Sequence, residues 1–292
     1  MEWLKRLGAA VDYIENHLDR ELSYEEAARI ACCSPYYFQR VFSYVTGISL
    51  AEYVRRRKMT QAAFDLQRTG SKVIDIALKY GYSSPTAFNR AFQSIHGIPP
   101  TAARAAGSVL HVYPPIRFRV EITGEHAMTY RIVEKPSLHI VGVRIPIVGD
   151  MEENLRIVPK FWQSIVRGPL FARICALPAG EPKGILGISV YENPQNIYYY
   201  IGVATDTPAP SGLYEYNIPA ALWVVFENEG CFKEEVQRIF RHFYTEWLPF
   251  SGYQYAKLPD IEVYPIKDGI PEYGHSEVWI AICKEDNQEC II

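Results

Sequence analysis

The chain has 292 residues, 48% hydrophobic and 22% charged, with a formal net charge of −3. That is enough apolar material for two domains, each with its own core, and it describes a soluble globular protein. No stretch approaches the roughly 18 consecutive apolar residues of a membrane helix. The amino terminus lacks an apolar run before a small-residue cleavage site, so the expected location is the cytoplasm.

The net charge is uneven. Residues 1–106 hold 14 Lys and Arg against 10 Asp and Glu, and residues 107–292 hold 16 against 23, giving +4 and −7. A mildly basic amino-terminal part suits a polyanionic partner. The six cysteines are scattered apart from Cys32-Cys33 and show neither metal spacing nor a disulfide framework, so they read as ordinary thiols.

Residues 2–18 carry Trp3, Leu7, Val11, Ile14 and Leu18 on one stripe, the pattern of an amphipathic helix on a core. Ser23 to Glu26 is a capping box that opens a helix over 25–32. Ser34-Pro35 starts a second helix with apolar Phe38, Val41, Phe42 and Val45, and Gly47 ends it. This stretch, 34–48, returns at 84–98 with seven of fifteen positions identical. The helix between the copies, from the capping box at Ser49 to Glu52 to about Arg68, acts as a spacer. About 20 residues span roughly 30 Å, close to the roughly 34 Å of one DNA turn. Residues 73–80 repeat the role of 25–32. The sequence therefore predicts two helix-turn-helix pairs.

The outward residues of the two copies differ: Tyr36, Gln39, Arg40 and Ser43 in the first, Thr86, Asn89, Arg90 and Gln93 in the second. Arg suits guanine, and Asn or Gln suits adenine, near the start of a helix that enters the major groove. Ordinary solvated faces on an all-helical core are the competing reading, which the duplication weakens.

Residues 107–125, with Pro114-Pro115, are expected to form a linker. Beyond it, strand-like runs rich in Tyr and Val appear at 138–147, 185–191, 198–203, 221–227, 261–264 and 277–282, with helices near 158–167 and over 232–247. The order strand, helix, strand, strand occurs twice, which predicts a duplicated α+β domain over 126–292 built about a pseudo-twofold axis. Trp162, Tyr191, Phe226, Tyr264 and Trp279 are the candidate aromatic lining of a site. Period two places Glu277 on one face with Trp279, and an acid among aromatics suits a lipophilic cation. A pairing of Glu277 with an arginine, or a water-facing edge, is the alternative. No Ser-His-Asp set, phosphate loop or metal cluster is visible, so no catalytic residue, metal or cofactor is expected.

Residues 8–104 resemble the double helix-turn-helix domain of the AraC family of transcription regulators. The marks are Ala27-Ala28-x-x-Ala31, Ser34-Pro35-x-x-Phe38-x-Arg40-x-Phe42, Gly47-x-Ser49, Tyr53-x-x-x-Arg57, Gly81-Tyr82 and Phe88-x-Arg90-x-Phe92 before Gly97-Ile98-Pro99-Pro100. That resemblance implies base contacts by Tyr36, Gln39 and Arg40 and by Thr86, Asn89 and Arg90. Residues 126–292 resemble the GyrI-like effector-binding domain through Val190-Tyr191-Glu192-Asn193-Pro194, Trp223-Val224-Val225-Phe226, Glu246-Trp247-Leu248-Pro249, Ile261-Glu262-Val263-Tyr264 and Glu277-Val278-Trp279-Ile280. It implies a small-molecule effector and places the pocket acid at Glu277. The domain order resembles Rob-like members of the AraC family, which implies an activator with promoter DNA and RNA polymerase as partners. The alternatives for the second domain are a small-molecule hydrolase using Glu277 and Trp279, and a protein-interaction module.

Overall fold

In the computed structural model the described residues are 2–118, 129–148, 151–193, 196–230, 232–267, 270–271 and 274–284. They fall in two compact units, Met1–Glu121 and Ile122–Ile292.

The first unit holds α1 (Glu2–Glu15), α2 (Tyr24–Ile30), α3 (Pro35–Thr46), α4 (Leu50–Arg68), α5 (Val73–Lys79) and α6 (Pro85–His96). Local chemistry sets their ends. Ser23, Ser34, Ser49 and Ser84 each accept a backbone N–H of the first turn, and Gly47 and Gly97 close α3 and α6 with left-handed φ of 77° and 75°. The two helix pairs are built alike. Phe38 and Phe42 of α3 are fully buried, as are Phe88 and Phe92 of α6. The helix expected as a spacer is a shared core element. Leu50, Tyr53 and Val54 of α4 are buried, Phe42 contacts Tyr53 at 5.3 Å, and Met59, Ala62, Ala63 and Leu66 pack with α5 and α6.

The segment expected as a linker is strapped to this unit as far as residue 116. Leu110 and Tyr113 pack on the core of α4, α5 and α6. Three backbone amides of the strap donate in turn, His111 N–H to His96 Nδ1 at 3.2 Å, Tyr113 N–H to Thr60 Oγ1 at 3.2 Å and Ile116 N–H to the Tyr53 hydroxyl at 3.2 Å. A proline-containing stretch cannot form a helix here, but its remaining amides find side-chain acceptors on α4 and α6. Residues 119–125 of the expected linker lie outside the described residues.

The second unit is a nine-stranded antiparallel sheet with helices. Its strands are β1 (Tyr130–Lys135), β2 (Leu138–Pro146), β3 (Ile185–Asn193), β4 (Asn196–Ala204), β5 (Tyr214–Ile218), β6 (Ala221–Glu229), β7 (Tyr253–Tyr255), β8 (Asp260–Tyr264) and β11 (His275–Lys284), and β9 (Ile266–Lys267) with β10 (Ile270–Pro271) forms a separate pair. The helices are α7 (Met151–Val166), α8 (Pro169–Cys175) and α9 (Phe232–His242), which runs on into a π turn, Phe243–Trp247.

The strand order β1-β6-β11-β8-β3-β4-β2-β5 is a palindrome of the two repeats about the β8–β3 pair. This is the pseudo-twofold arrangement expected from the repeated order. Five strands escaped the sequence reading, the short β7, β9 and β10 and the edge strands β1 and β5. β1 and β5 lie at the two outer edges, each against the first long strand of the other repeat, β1 on β6 and β5 on β2. Cys283 is disulfide-bonded, a departure from the expectation of ordinary thiols, whereas Cys32, Cys33 and Cys175 are free.

Candidate DNA-reading helices and effector site

The second candidate helix exposes most of the residues expected to point outward. Thr86, Arg90 and Gln93 of α6 are exposed and Asn89 is half-buried. The first differs. Tyr36 and Gln39 of α3 are half-buried, and Arg40, expected to point outward, is only 4% exposed with its guanidinium over the Tyr44 ring at 5.4 Å. The physical reason is the four-residue spacing, which lets the arginine stem lie along its own helix and stack one turn onward.

The basic run at 55–58 is committed internally. Arg55 and Arg56 donate to Glu52 at 2.7 and 2.5 Å, buried Arg57 bridges Glu15 at 2.7 Å, and Lys58 Nζ donates to the Tyr80 carbonyl at 3.1 Å. Burial lowers the pKa of Lys58. These side chains hold α1, α4 and α5 together.

In the second unit, alternation sorts each strand's side chains onto two faces. Gly187 of β3 lies opposite Glu262 of β8. Tyr199 of β4 and Tyr264 of β8 both donate their hydroxyls to Glu262 Oε2, at 2.8 and 3.0 Å. From above, Trp162 of α7 donates its Nε1–H to the Tyr199 hydroxyl at 2.9 Å and sets its ring edge-on to Tyr264, with centroids 4.9 Å apart.

Glycine at 187 is required, because a Cβ there would stand 2.2 Å from the Tyr199 hydroxyl and 2.9 Å from Glu262 Oε2. Burial first, and then the charge of Glu262, raises the pKa of both Tyr199 and Tyr264 well above the ordinary tyrosine value, so both hydroxyls stay protonated donors. Tyr191 is near enough to contribute to that rise at Tyr199. The cluster is an acid held by two phenols beneath an indole. Aromatic faces around one carboxylate attract a cation with apolar flanks.

The expected acid, Glu277, is not in this cluster. The register pairs Glu277 with Val263, so it lies on the opposite face of the sheet from Glu262. Arg131 of β1 donates to Glu277 at 2.6 Å and to Glu227 at 2.5 Å, and Trp279 Nε1 donates to Glu277 at 2.7 Å. The ion-paired alternative therefore holds for Glu277. Trp279 accompanies it, packing on Trp223 with centroids 6.1 Å apart.

Phe226 also leaves the expected set. It lies in a separate aromatic cluster with Tyr130, Phe243 and Trp247, which it meets at 6.3, 6.2 and 6.2 Å. Of the predicted lining, Trp162 and Tyr264 meet at the acid and Tyr191 lies nearby. Glu262 and Tyr199 were missed. The signal was present in Ile261-Glu262-Val263-Tyr264, where alternation puts acid and aromatic on one face as it does in Glu277-Val278-Trp279.

Among the described residues no His, Cys, Asp and Glu group could hold a metal ion, and no helix is long and apolar enough to cross a membrane.

Comparison with known proteins accords with both units. The helix-turn-helix domain family matches residues 27–106, and the GyrI-like small molecule binding domain family matches residues 128–282. The chain is 40% identical over 92 residues to the transposon Tn10 TetD protein of Escherichia coli, covering 32% of this chain and 67% of that protein. It is 26% identical over 275 residues to the right origin-binding protein of Escherichia coli K12, covering 88% of this chain and 89% of that one. A solved structure of SAV2435 bound to tetraphenylphosphonium covers 53% of this chain and 94% of its own, at 21% identity and a TM-score of 0.47. With two tandem helix-turn-helix pairs followed by this duplicated sheet, the chain belongs to the AraC-type transcription regulators that carry a GyrI-like small molecule binding domain.

Proposed function

We propose that this regulator is an activator of transcription that responds to a small lipophilic cation held at Glu262. One observation carries the reading: the Glu262 carboxylate accepts two tyrosine hydroxyls under the Trp162 indole. A flat or propeller-shaped aromatic cation would stack on Trp162 and Tyr264 and neutralise the acid, whereas an anion of the same shape would meet it unfavourably.

At the other unit, Thr86, Asn89 and Arg90 of α6 read bases, and Tyr36 and Gln39 of α3 supply the second contact set with Arg40 once it leaves Tyr44. RNA polymerase is the protein partner an activator of this type requires. The test is in vitro transcription with purified chain and polymerase on a promoter recovered by selection of bound genomic fragments. Transcript yield that rises with the chain, and changes again with a lipophilic cation, supports the reading. Bound DNA with reduced transcript would make the protein a repressor.

A further inference from the structure

The sheet face opposite Glu262 carries an arginine that pairs with no carboxylate among the described residues. Arg144 of β2 is half-buried, and its guanidinium carbon lies 4.1 Å from the ring centroid of Tyr198 and 4.5 Å from that of Tyr214. Directly across the ladder stands Tyr200, 2% exposed, whose hydroxyl accepts from Arg144 Nη1 at 2.9 Å. No acid pairs with Arg144 among the described residues, in contrast to Arg131, which holds two on the same face. The next row on this face pairs Gly142 with Gly202, where the two strands approach closely, and is flanked by Tyr214 of β5 and Leu186 of β3.

The chemistry of this arrangement is specific. A guanidinium has five N–H donors in one plane, and stacking on rings leaves the plane's edge for hydrogen bonds. Arg144 spends one donor on Tyr200. Tyr200, having accepted that bond, still has its own O–H to donate, and a buried hydroxyl hydrogen without an acceptor is costly. Two kinds of donor therefore converge at one place on the sheet, with a positive charge whose desolvation no carboxylate among the described residues offsets.

We infer that Arg144 and Tyr200 form a second small-molecule site that takes an oxyanion, a carboxylate or a phosphate, on the face opposite the cation site. A planar carboxylate fits the arginine fork in bidentate fashion while accepting from Tyr200. Tyr198 and Tyr214 hold the fork in place, and Tyr214, 48% exposed, offers a ring to an aromatic anion. This inference does not rest on the role of Glu262.

The experiment titrates the full chain with sodium benzoate and, separately, with inorganic phosphate, following heat of binding and thermal midpoint. Benzoate is expected to bind saturably and raise the midpoint. Tyr200→Phe, which keeps the ring and removes only the hydroxyl, should weaken binding by about tenfold, the loss of one charge-assisted bond network member. Arg144→Lys, which keeps charge but not the fork, should weaken it at least as much. Glu262→Gln should leave it unchanged. Saturable phosphate binding without benzoate binding, lost in the same two variants, supports the site and assigns it a tetrahedral anion. No saturable binding of either anion, or equal binding by a folded Tyr200→Phe variant and a folded Arg144→Lys variant, would overturn the inference. If Arg144→Lys does not fold, Tyr200→Phe alone decides it.

Discussion

Cys32 holds a left-handed backbone, φ 55°, in the turn between α2 and α3. The second helix pair has Gly81 at the matching place, φ 83°, and the flanking hydrogen bonds correspond one for one. Cys32 N–H donates to Arg29 and Cys33 N–H to Ala28, as Gly81 N–H donates to Leu78 and Tyr82 N–H to Ala77. A side chain in this conformation costs about 1–2 kcal/mol, of which glycine's extra unfolded-state freedom returns part. Cys32→Gly should therefore stabilise the protein by about 0.5–1 kcal/mol, measured as a higher urea midpoint with an unchanged slope. An unchanged or lower midpoint would show that the turn carries no strain. Which residue of the turn turns left-handed was not legible from Cys32-Cys33. It shows only in the matching hydrogen bonds of the two turns, because the second turn is one residue longer.

At the same scale, Gly187 admits no side chain. Gly187→Ala should displace Tyr199 or Glu262 and reduce cation binding, with a cost of about 1–3 kcal/mol from overpacking. Unchanged cation affinity in a folded Gly187→Ala variant would separate the site from Glu262.

Among the elements, the strap over 108–116 depends on one imidazole. His96 is 3% exposed, its Nε2 faces the Met59 carbonyl at 3.1 Å and its Nδ1 accepts from His111 N–H. Those roles require the neutral tautomer with its proton on Nε2. Burial, with the neighbouring His111, lowers the His96 pKa below the ordinary value, outweighing the bond to Met59. A lowered folded value means the unfolded chain binds the proton more readily, so this contribution is complete above about pH 6.5 and is lost as pH falls below it. The thermal midpoint of the wild type should drop between pH 7 and 5 more steeply than that of His96→Gln, which cannot titrate. Parallel curves would mean that His96 takes no part.

The elements themselves were mostly legible. Helix stripes, serine caps and glycine stops predicted α2 to α6 because each is a local signal, and apolar alternation predicted β2, β3, β4, β6, β8 and β11. What failed was non-local. β1 and β5 each pair with the other repeat, and no feature of 130–135 or 214–218 announces a partner that lies far away in the chain, Phe226 for Tyr130 and Gly142 for Tyr214. The proposed preference for Glu262 over Glu277 likewise rests on non-local contacts. Both stand two residues before an aromatic, and the difference is which face α7 covers and where Arg131 lands.

For the whole molecule, the internal commitment of the 55–58 run changes how DNA binding should depend on salt. Each freed phosphate contact contributes about 0.9 to the log–log slope. Arg90→Ala should lower the slope and cost about 1–3 kcal/mol at a cognate site if it reads a base, whereas Arg55→Ala should leave the slope nearly unchanged. Gel-shift titrations from low to high salt check both. A large slope change in Arg55→Ala would show that the run leaves Glu52 to meet phosphate.

The assignment of the effector-site acid to Glu262, not Glu277, is a proposal. It is tested by calorimetric titration of the full chain with tetraphenylphosphonium and with its anionic counterpart tetraphenylborate, for the wild type, Glu262→Gln and Glu277→Gln. The cation should bind and the anion should not. Glu262→Gln should weaken the cation by about tenfold or more, the scale of a desolvated charge contact, while Glu277→Gln should leave it within a factor of about two. Equal binding of both ions, or loss of the cation in Glu277→Gln with Glu262→Gln unaffected, would contradict it.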